Sequence, residues 1–169
     1  NMKHVTVKDK FKVLIMDSGA GVLKESISQA LLEVGELKDI QFYVASNYQS
    51  NHENVTSLPE GDLMVDYIHG MDLVIGRAGF NTISECIVFR TPMLLLGEAM
   101  NPEMSENILN LKEAGLGSFM SLKEFQSGLK TFLPRFLKNE YNTIKANMEN
   151  HEFEINGAEV IAKDMLKYI

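Results

Sequence analysis

Short apolar runs alternate with longer stretches whose apolar residues fall at helical spacing. Phe11–Met16 reads as a strand, and Asp17–Gly21 follows as a glycine loop. From Val22 to about Gly35, residues Val22, Leu23, Ile27, Ala30, Leu31 and Val34 share one helical face. Asp39–Ala45 returns to a strand, 46–53 is a polar loop, and Asn54–Leu58 is a short strand. The turn Pro59-Glu60-Gly61 leads to a short helix over Asp62–His69. Leu73, Val74 and Ile75 form a continuous apolar run, the pattern of a parallel strand covered on both faces. The next helix stops at Thr91-Pro92, because a residue before proline avoids the helical conformation. Met93–Leu96 is another buried strand, 97–104 a loop, and Ser105–Ala114 a helix ended by Gly115. Ser118–Met120 is the last strand, and helices are expected over 122–133, 135–149 and 156–168. This alternation predicts βαβ units: an α/β, Rossmann-like fold with a parallel sheet and helices on both faces. Residues 1–10 are polar and read as a disordered tail, and 11–169 as one domain.

One segment carries candidate chemistry. In Asp72–Glu85 a buried strand runs into Gly76-Arg77-Ala78-Gly79 and then into a helix. A helix that starts at the carboxyl end of a parallel strand presents free N–H groups and a positive dipole end, where α/β proteins hold phosphate. Glu85, about one turn in, is placed to accept from a pair of sugar hydroxyls. The spacing therefore fits a nucleotide site, with diphosphate on the turn and ribose on the carboxylate. It fits a second reading equally well: Thr82-Ile83-Ser84-Glu85 has the S/T-x-x-E form of a capping box, with Asn81 or Thr82 as the cap. Arg77 stands ready either for phosphate or for a pair with Asp72 or Glu85, and the pair is the favoured expectation.

The bulk numbers narrow the partners. The chain has 169 residues, enough for about one domain with a real core. A net charge of −7 argues against a nucleic-acid surface, which needs a basic face. The single cysteine, Cys86, makes no internal disulfide and points to a reducing compartment. It reads as a packing residue rather than a reactive thiol, since no histidine is near it in sequence. No window reaches the length of a membrane span. Asn1 before Met2 reads as a cloning remnant, and the chain as a domain of a longer protein.

Asp72 to Gly115 carries a specific pattern. Asp72, Arg77, Ala78, Gly79, Thr82, Glu85, Pro92, Asn107 and Ala114-Gly115 stand in register with the donor-binding half of GT-B glycosyltransferases. The segment most resembles the C-terminal domain of glycosyltransferase family 28. Val13–Leu23 resembles that family's first strand and glycine loop, and Asn156-Gly157-Ala158 the start of its closing helix. The resemblance spans roughly 11–168.

It implies a function residue by residue. The Gly79 turn and the amides of Phe80, Asn81 and Thr82 would face a diphosphate, and Glu85 would hold the ribose. Ser18, Gly19 and Gly21 would form a second phosphate-facing loop, and Leu58–Gly61 would meet the base. Glu103, Met104 and Asn107 occupy the stretch that reads the donor sugar. Two positions depart from the family: Glu103-Met104 replaces an Asp-Gln or Gln-Gln pair, and Asp17 stands where a glycine is usual. Met104 cannot fix a hydroxyl strongly. Glu103 has a second reading as a solvated acid at a helix start. Asp17 would repel a diphosphate unless it turns away and caps the helix near Val22, which is the expectation here.

The implied function is binding of a UDP-sugar for transfer of a hexose or N-acetylhexosamine, without a metal or other cofactor. The acceptor and catalytic base would come from an N-terminal domain or a separate subunit. The chain alone would then be inactive. A cytoplasmic location is implied, with any attachment to the cytosolic face of a membrane left to the missing part. Other readings are a UDP-sugar hydrolase or epimerase on the same fold, and a non-catalytic binding subunit.

Overall fold

The apolar runs become the strands of one parallel sheet. The computed structural model describes residues 10–17, 21–97 and 101–152. Within it lie β1 (Phe11–Met16), β2 (Ile40–Val44), β3 (Val55–Ser57), β4 (Leu73–Arg77), β5 (Met93–Gly97) and β6 (Gly117–Ser121). Their order is β3-β2-β1-β4-β5-β6, and every neighbouring pair is parallel. Parallel neighbours need crossover connections. Helices α1 (Lys24–Leu31), α2 (Phe80–Phe89) and α3 (Pro102–Glu113) provide them after β1, β4 and β5. Val13, Leu14 and Ile15 of β1 and Leu73, Val74 and Ile75 of β4 are 0% exposed, which is why these strands show no polar alternation. The parallel sheet and its covering helices match the expected α/β, Rossmann-like architecture.

The step from β1 to β2 runs one way along the sheet, and the steps from β4 to β5 to β6 run the other. Right-handed crossovers therefore put α1 on one face and α2 and α3 on the opposite one. Helix α4 (Leu122–Asn139) returns to pack on α1, where Gln126 Nε2 donates to Ser26 Oγ at 2.8 Å. Helix α5 (Tyr141–Asn150) closes the amino edge of the sheet. The Tyr141 ring meets Phe11 edge-on at 5.0 Å, Arg90 Nη1 donates to Met148 O at 2.9 Å, and Asn147 Nδ2 donates to Gly115 O at 2.9 Å. Gly115 is required twice there: its φ is +67°, and a Cβ would lie 2.6 Å from the Asn147 amide nitrogen.

Helix α4 differs from the sequence expectation. It runs through Pro134 without a break and ends at Asn139, with Glu140 as its cap. Phe125, Leu129, Leu133 and Phe136 keep one buried stripe across the proline. Pro134 and Lys130 are exposed, so the Lys130 carbonyl that loses its helical donor lies on the solvent side of the helix. Packing of the stripe thus outweighs a local penalty of about 3 kcal/mol. Replacing Pro134 by alanine should raise stability in a urea melt by about 1–2 kcal/mol, less than that penalty because the unfolded chain also gains freedom. A loss of stability would show that the ring packs rather than merely being tolerated.

Three boundaries also shift. The helix expected over 22–35 divides into α1 and a 3₁₀ turn at Val34–Glu36. The short helix expected over 62–69 is a 3₁₀ segment, Met64–Gly70. The loop expected over 97–104 already contains the start of α3: Asn101 caps it and Pro102 is its first residue, the position where proline's missing N–H costs nothing. The expected tail, apart from Lys10, and the helix over 156–168 lie outside the described residues.

Candidate functional site

Because β1 and β4 are neighbours whose connections leave in opposite directions, their carboxyl ends frame a topological switch point, where open α/β sheets bind ligands. Two loops meet there. The loop after β1 keeps Asp17 and Gly21 among the described residues, Gly21 with φ +66°, while Ser18 and Gly19 lie outside them. The loop after β4 is Ala78-Gly79. Leu58–Gly61 follows β3, also at the carboxyl edge but two strands further out.

The β4–α2 turn corrects the capping expectation. Gly79, extended at φ −79° and ψ 150°, is the N-cap of α2, and no side chain caps this helix. Thr82 is its third residue and is 7% exposed. Its methyl packs over Gly76, where a Cβ would sit 3.2 Å away, so helix–strand packing turns Thr82 inward. A capping box forms instead at Ser121–Glu124, at the start of α4. The first helical acceptor bond is Ile83 N to Gly79 O at 3.2 Å, so the amides of Phe80, Asn81 and Thr82 have no intrahelical acceptor. Glu85 is half-buried on the same helix with no hydrogen-bond partner among the described residues, and burial holds its carboxyl above the usual carboxylate range.

Helix α3 faces this turn. Asn101 Oδ1 accepts from Met104 N at 3.2 Å. Glu103 is exposed, and Met104 is 6% exposed. Asn107 Nδ2 donates to Ala78 O at 2.9 Å, while Ala78 N donates to Leu96 O at 3.1 Å. The peptide groups before Gly79 are therefore clamped from β5 and α3 together. That bond was invisible in the sequence, where Asn107 read as a sugar contact; its amide nitrogen here holds the turn. Arg77, Gly79, Phe80, Asn81, Thr82, Glu103 and Met104 line one cavity of about 230 Å³, which Glu85 and Asn107 do not line. Hollows of about 600 and 410 Å³ lie at the amino edge and beside α1. Both are larger, but neither sits at a strand's carboxyl end with open amides, so topology favours the smaller one.

The remaining candidates settle as structural parts. Asp72 Oδ2 accepts from Lys12 N at 2.7 Å, which ties this carboxylate to the start of β1. Asp17 does not cap α1, which has no side-chain cap. Its Oδ2 accepts instead from Tyr48 Oη at 2.5 Å, and burial, then this bond and the Asp17 charge, push the Tyr48 hydroxyl up. Replacing Tyr48 by phenylalanine should cost about 1–3 kcal/mol in a denaturant melt, because it strands a carboxylate oxygen inside the switch-point wall. An unchanged melt would mean that Asp17 has another resting place. Cys86 is buried, and burial with the nearby Glu85 charge pushes its thiol up, which makes it a packing residue. Among the described residues no helix is long and apolar enough to cross a membrane.

Comparison with known proteins agrees with this geometry. Residues 10–165 match the glycosyltransferase family 28 C-terminal domain. The UDP-N-acetylglucosamine–N-acetylmuramyl-(pentapeptide) pyrophosphoryl-undecaprenol N-acetylglucosamine transferase of Thermosipho melanesiensis is 25% identical over 95% of the chain and 47% of its own length. Its Thermosipho africanus counterpart is 30% identical over 67% of the chain and 35% of its own length. Among solved structures, MurG of Acinetobacter baumannii superposes with a TM-score of 0.66 at 16% identity, over 97% of this chain and 51% of that one. The spinosyn rhamnosyltransferase SpnG complexed with thymidine diphosphate gives 0.62 at 15% identity, over 92% and 46%. The chain thus spans about half the length of the curated relatives it matches, or less. An uncapped helix start at the switch point, on a sheet shared with these GT-B enzymes, agrees with the match across nearly the whole chain, and the protein belongs to glycosyltransferase family 28 as a C-terminal domain of that family.

Proposed function

We propose that this domain binds a UDP-linked sugar donor for hexosyl transfer. The observation that carries the reading is the start of α2: three amides with no acceptor among the described residues and no capping side chain, at the switch point, on the helix that also carries Glu85. A diphosphate on Phe80–Thr82 receives those N–H groups and the dipole, an interaction of about 0.3–2 kcal/mol for the dipole alone. Glu85, half-buried and lacking a partner among the described residues, accepts from the ribose hydroxyls. UDP as the nucleotide is supported by the relatives, whose name specifies a UDP-sugar substrate.

Transfer is a direct displacement at the anomeric carbon. The acceptor oxygen forms the new bond as the bond to the diphosphate oxygen breaks, and UDP leaves with the electron pair onto the α2 amides. The base that takes the acceptor proton comes from an N-terminal domain or a partner chain. No metal is needed, because the amides and dipole meet the charge on the leaving group. The protein works in the cytoplasm, with any attachment to the cytosolic face of a membrane made through the other half.

Calorimetry with UDP, UMP, GDP and ADP tests the reading. Heat from UDP at millimolar concentration or below, larger than from ADP and unchanged by EDTA, is expected. Silence with UDP, or a preference for ADP, overturns it. The isolated chain should turn over no UDP-sugar with or without acceptor; turnover would place the base in this domain.

A further inference from the structure

We infer that Tyr48 is a positioning residue for the diphosphate: its phenol holds the Asp17 carboxylate out of the crevice in which the phosphates lie. This rests on the UDP-sugar reading above. Asp17 directly follows β1, in the wall of the switch point. Met16 aligns with Gly76, so Asp17 and Arg77 are the next residues on adjacent strands. Neighbouring strands lie only about 4.8 Å apart. Arg77 lines the cavity of about 230 Å³ together with Gly79, Phe80, Asn81 and Thr82, and Asp17 does not line it. A carboxylate thus stands one strand away from the amides that receive the diphosphate.

The hydrogen bonds pull that carboxylate the other way. The sheet order sets β4 on one side of β1, and β2 and β3 on the other. Tyr48 comes from the β2–β3 connection, and its main chain is fixed there. Tyr48 N donates to Ala45 O at 3.0 Å, and Ser57 Oγ, at the end of β3, donates to Tyr48 O at 2.6 Å. From that side Tyr48 Oη donates to Asp17 Oδ2 at 2.5 Å. The other oxygen, Oδ1, is buried and has no hydrogen-bond partner among the described residues, so the phenol anchors this side chain. A freed carboxylate can turn about its single bonds toward β4. There it repels the phosphates and offsets the charge of Arg77.

The test is a double-mutant cycle read as UDP affinity by calorimetry, at a temperature where each variant is folded. Tyr48→Phe should weaken UDP about fivefold to tenfold at about 0.01 M salt, the effect of bringing one unit charge a few ångströms nearer an anion, and much less at about 1 M salt, where screening is nearly complete. Asp17→Asn keeps an acceptor for the phenol and removes the charge. It should tighten UDP at least about fivefold more in the Tyr48→Phe background than in the wild type. Ser57→Ala, at an exposed position, loosens the main chain of Tyr48 and serves as a second variant if Tyr48→Phe does not fold. Its smaller loss of affinity should also vanish with Asp17→Asn. A loss that persists at high salt, or that Asp17→Asn does not recover, makes Tyr48 a structural residue and overturns the inference. An unchanged UDP affinity in Tyr48→Phe overturns it too, while UDP binding by the wild type still stands. Absence of UDP binding by the wild type overturns the donor reading and this inference with it.

Discussion

Replacing Glu85 by glutamine should weaken UDP binding about tenfold or more, since a hydrogen bond to a charged group contributes about 1.5–3 kcal/mol. The melting temperature of the free protein should stay level or rise. Glu85 caps nothing and has no partner among the described residues, so the folded state loses no bond when its charge is removed. The two effects carry opposite pH signatures. Burial holds the Glu85 carboxyl above the usual range, so its contribution to stability is present at low pH and is lost as pH rises through the raised value. UDP binding runs the other way and weakens as pH falls through that value, because the protonated carboxyl is a poorer acceptor. The terminal phosphate of UDP titrates as well, and the glutamine variant isolates the part due to Glu85. A variant that binds UDP normally yet melts lower would make Glu85 a structural residue.

Asn107→Asp should produce the second large effect, on UDP itself as much as on any UDP-sugar. The change keeps the shape, removes the donor and sets a carboxylate against the Ala78 carbonyl now held at 2.9 Å. Ala78 is fully buried, so its oxygen is left without a partner at a cost of about 1–3 kcal/mol. The Gly79 turn loses its clamp, and UDP affinity should fall about tenfold with the melting temperature. Asn107→Ala should show the same pattern more mildly. If UDP binds normally and only the UDP-sugar weakens, Asn107 reads the sugar after all. Titrations with UDP and UDP-glucose on one preparation separate the two outcomes.

These two residues show what the sequence could and could not reveal. The strands were legible because parallel strands buried on both faces need unbroken apolar runs, as in Leu73–Ile75 and Met93–Leu96. The candidate turn was legible because a glycine pair ends such a strand and opens a helix, and the turn lies at the switch point between β1 and β4. Thr82 misled because its spacing to Glu85 fits a capping box, yet the bare Gly76 beneath it draws α2 close and turns the threonine inward. Pro134 misled because local propensity said break while a stripe from Phe125 to Phe136 held the helix together. The Asn101-Pro102 start of α3 is legible in cap chemistry: an Asn cap with proline at the first helical position. The Asn107–Ala78 and Tyr48–Asp17 bonds were not readable, since each joins residues about thirty positions apart in ways no local rule encodes.

The pairing of β1 with β4 bears on the order in which the molecule can assemble. Lys12 and Asp72 are joined across 60 residues, and Val13 aligns with Leu73. The whole of β2, β3 and their connections must be made before those strands meet, and closing so long a loop is slow. The crevice between them is therefore absent from any nascent chain shorter than about the end of α2. A nucleotide that binds there recognises only the finished sheet. Added UDP should accordingly slow unfolding and leave the early refolding phase untouched, so the ligand acts as a lock on a completed structure and gives no help in building it.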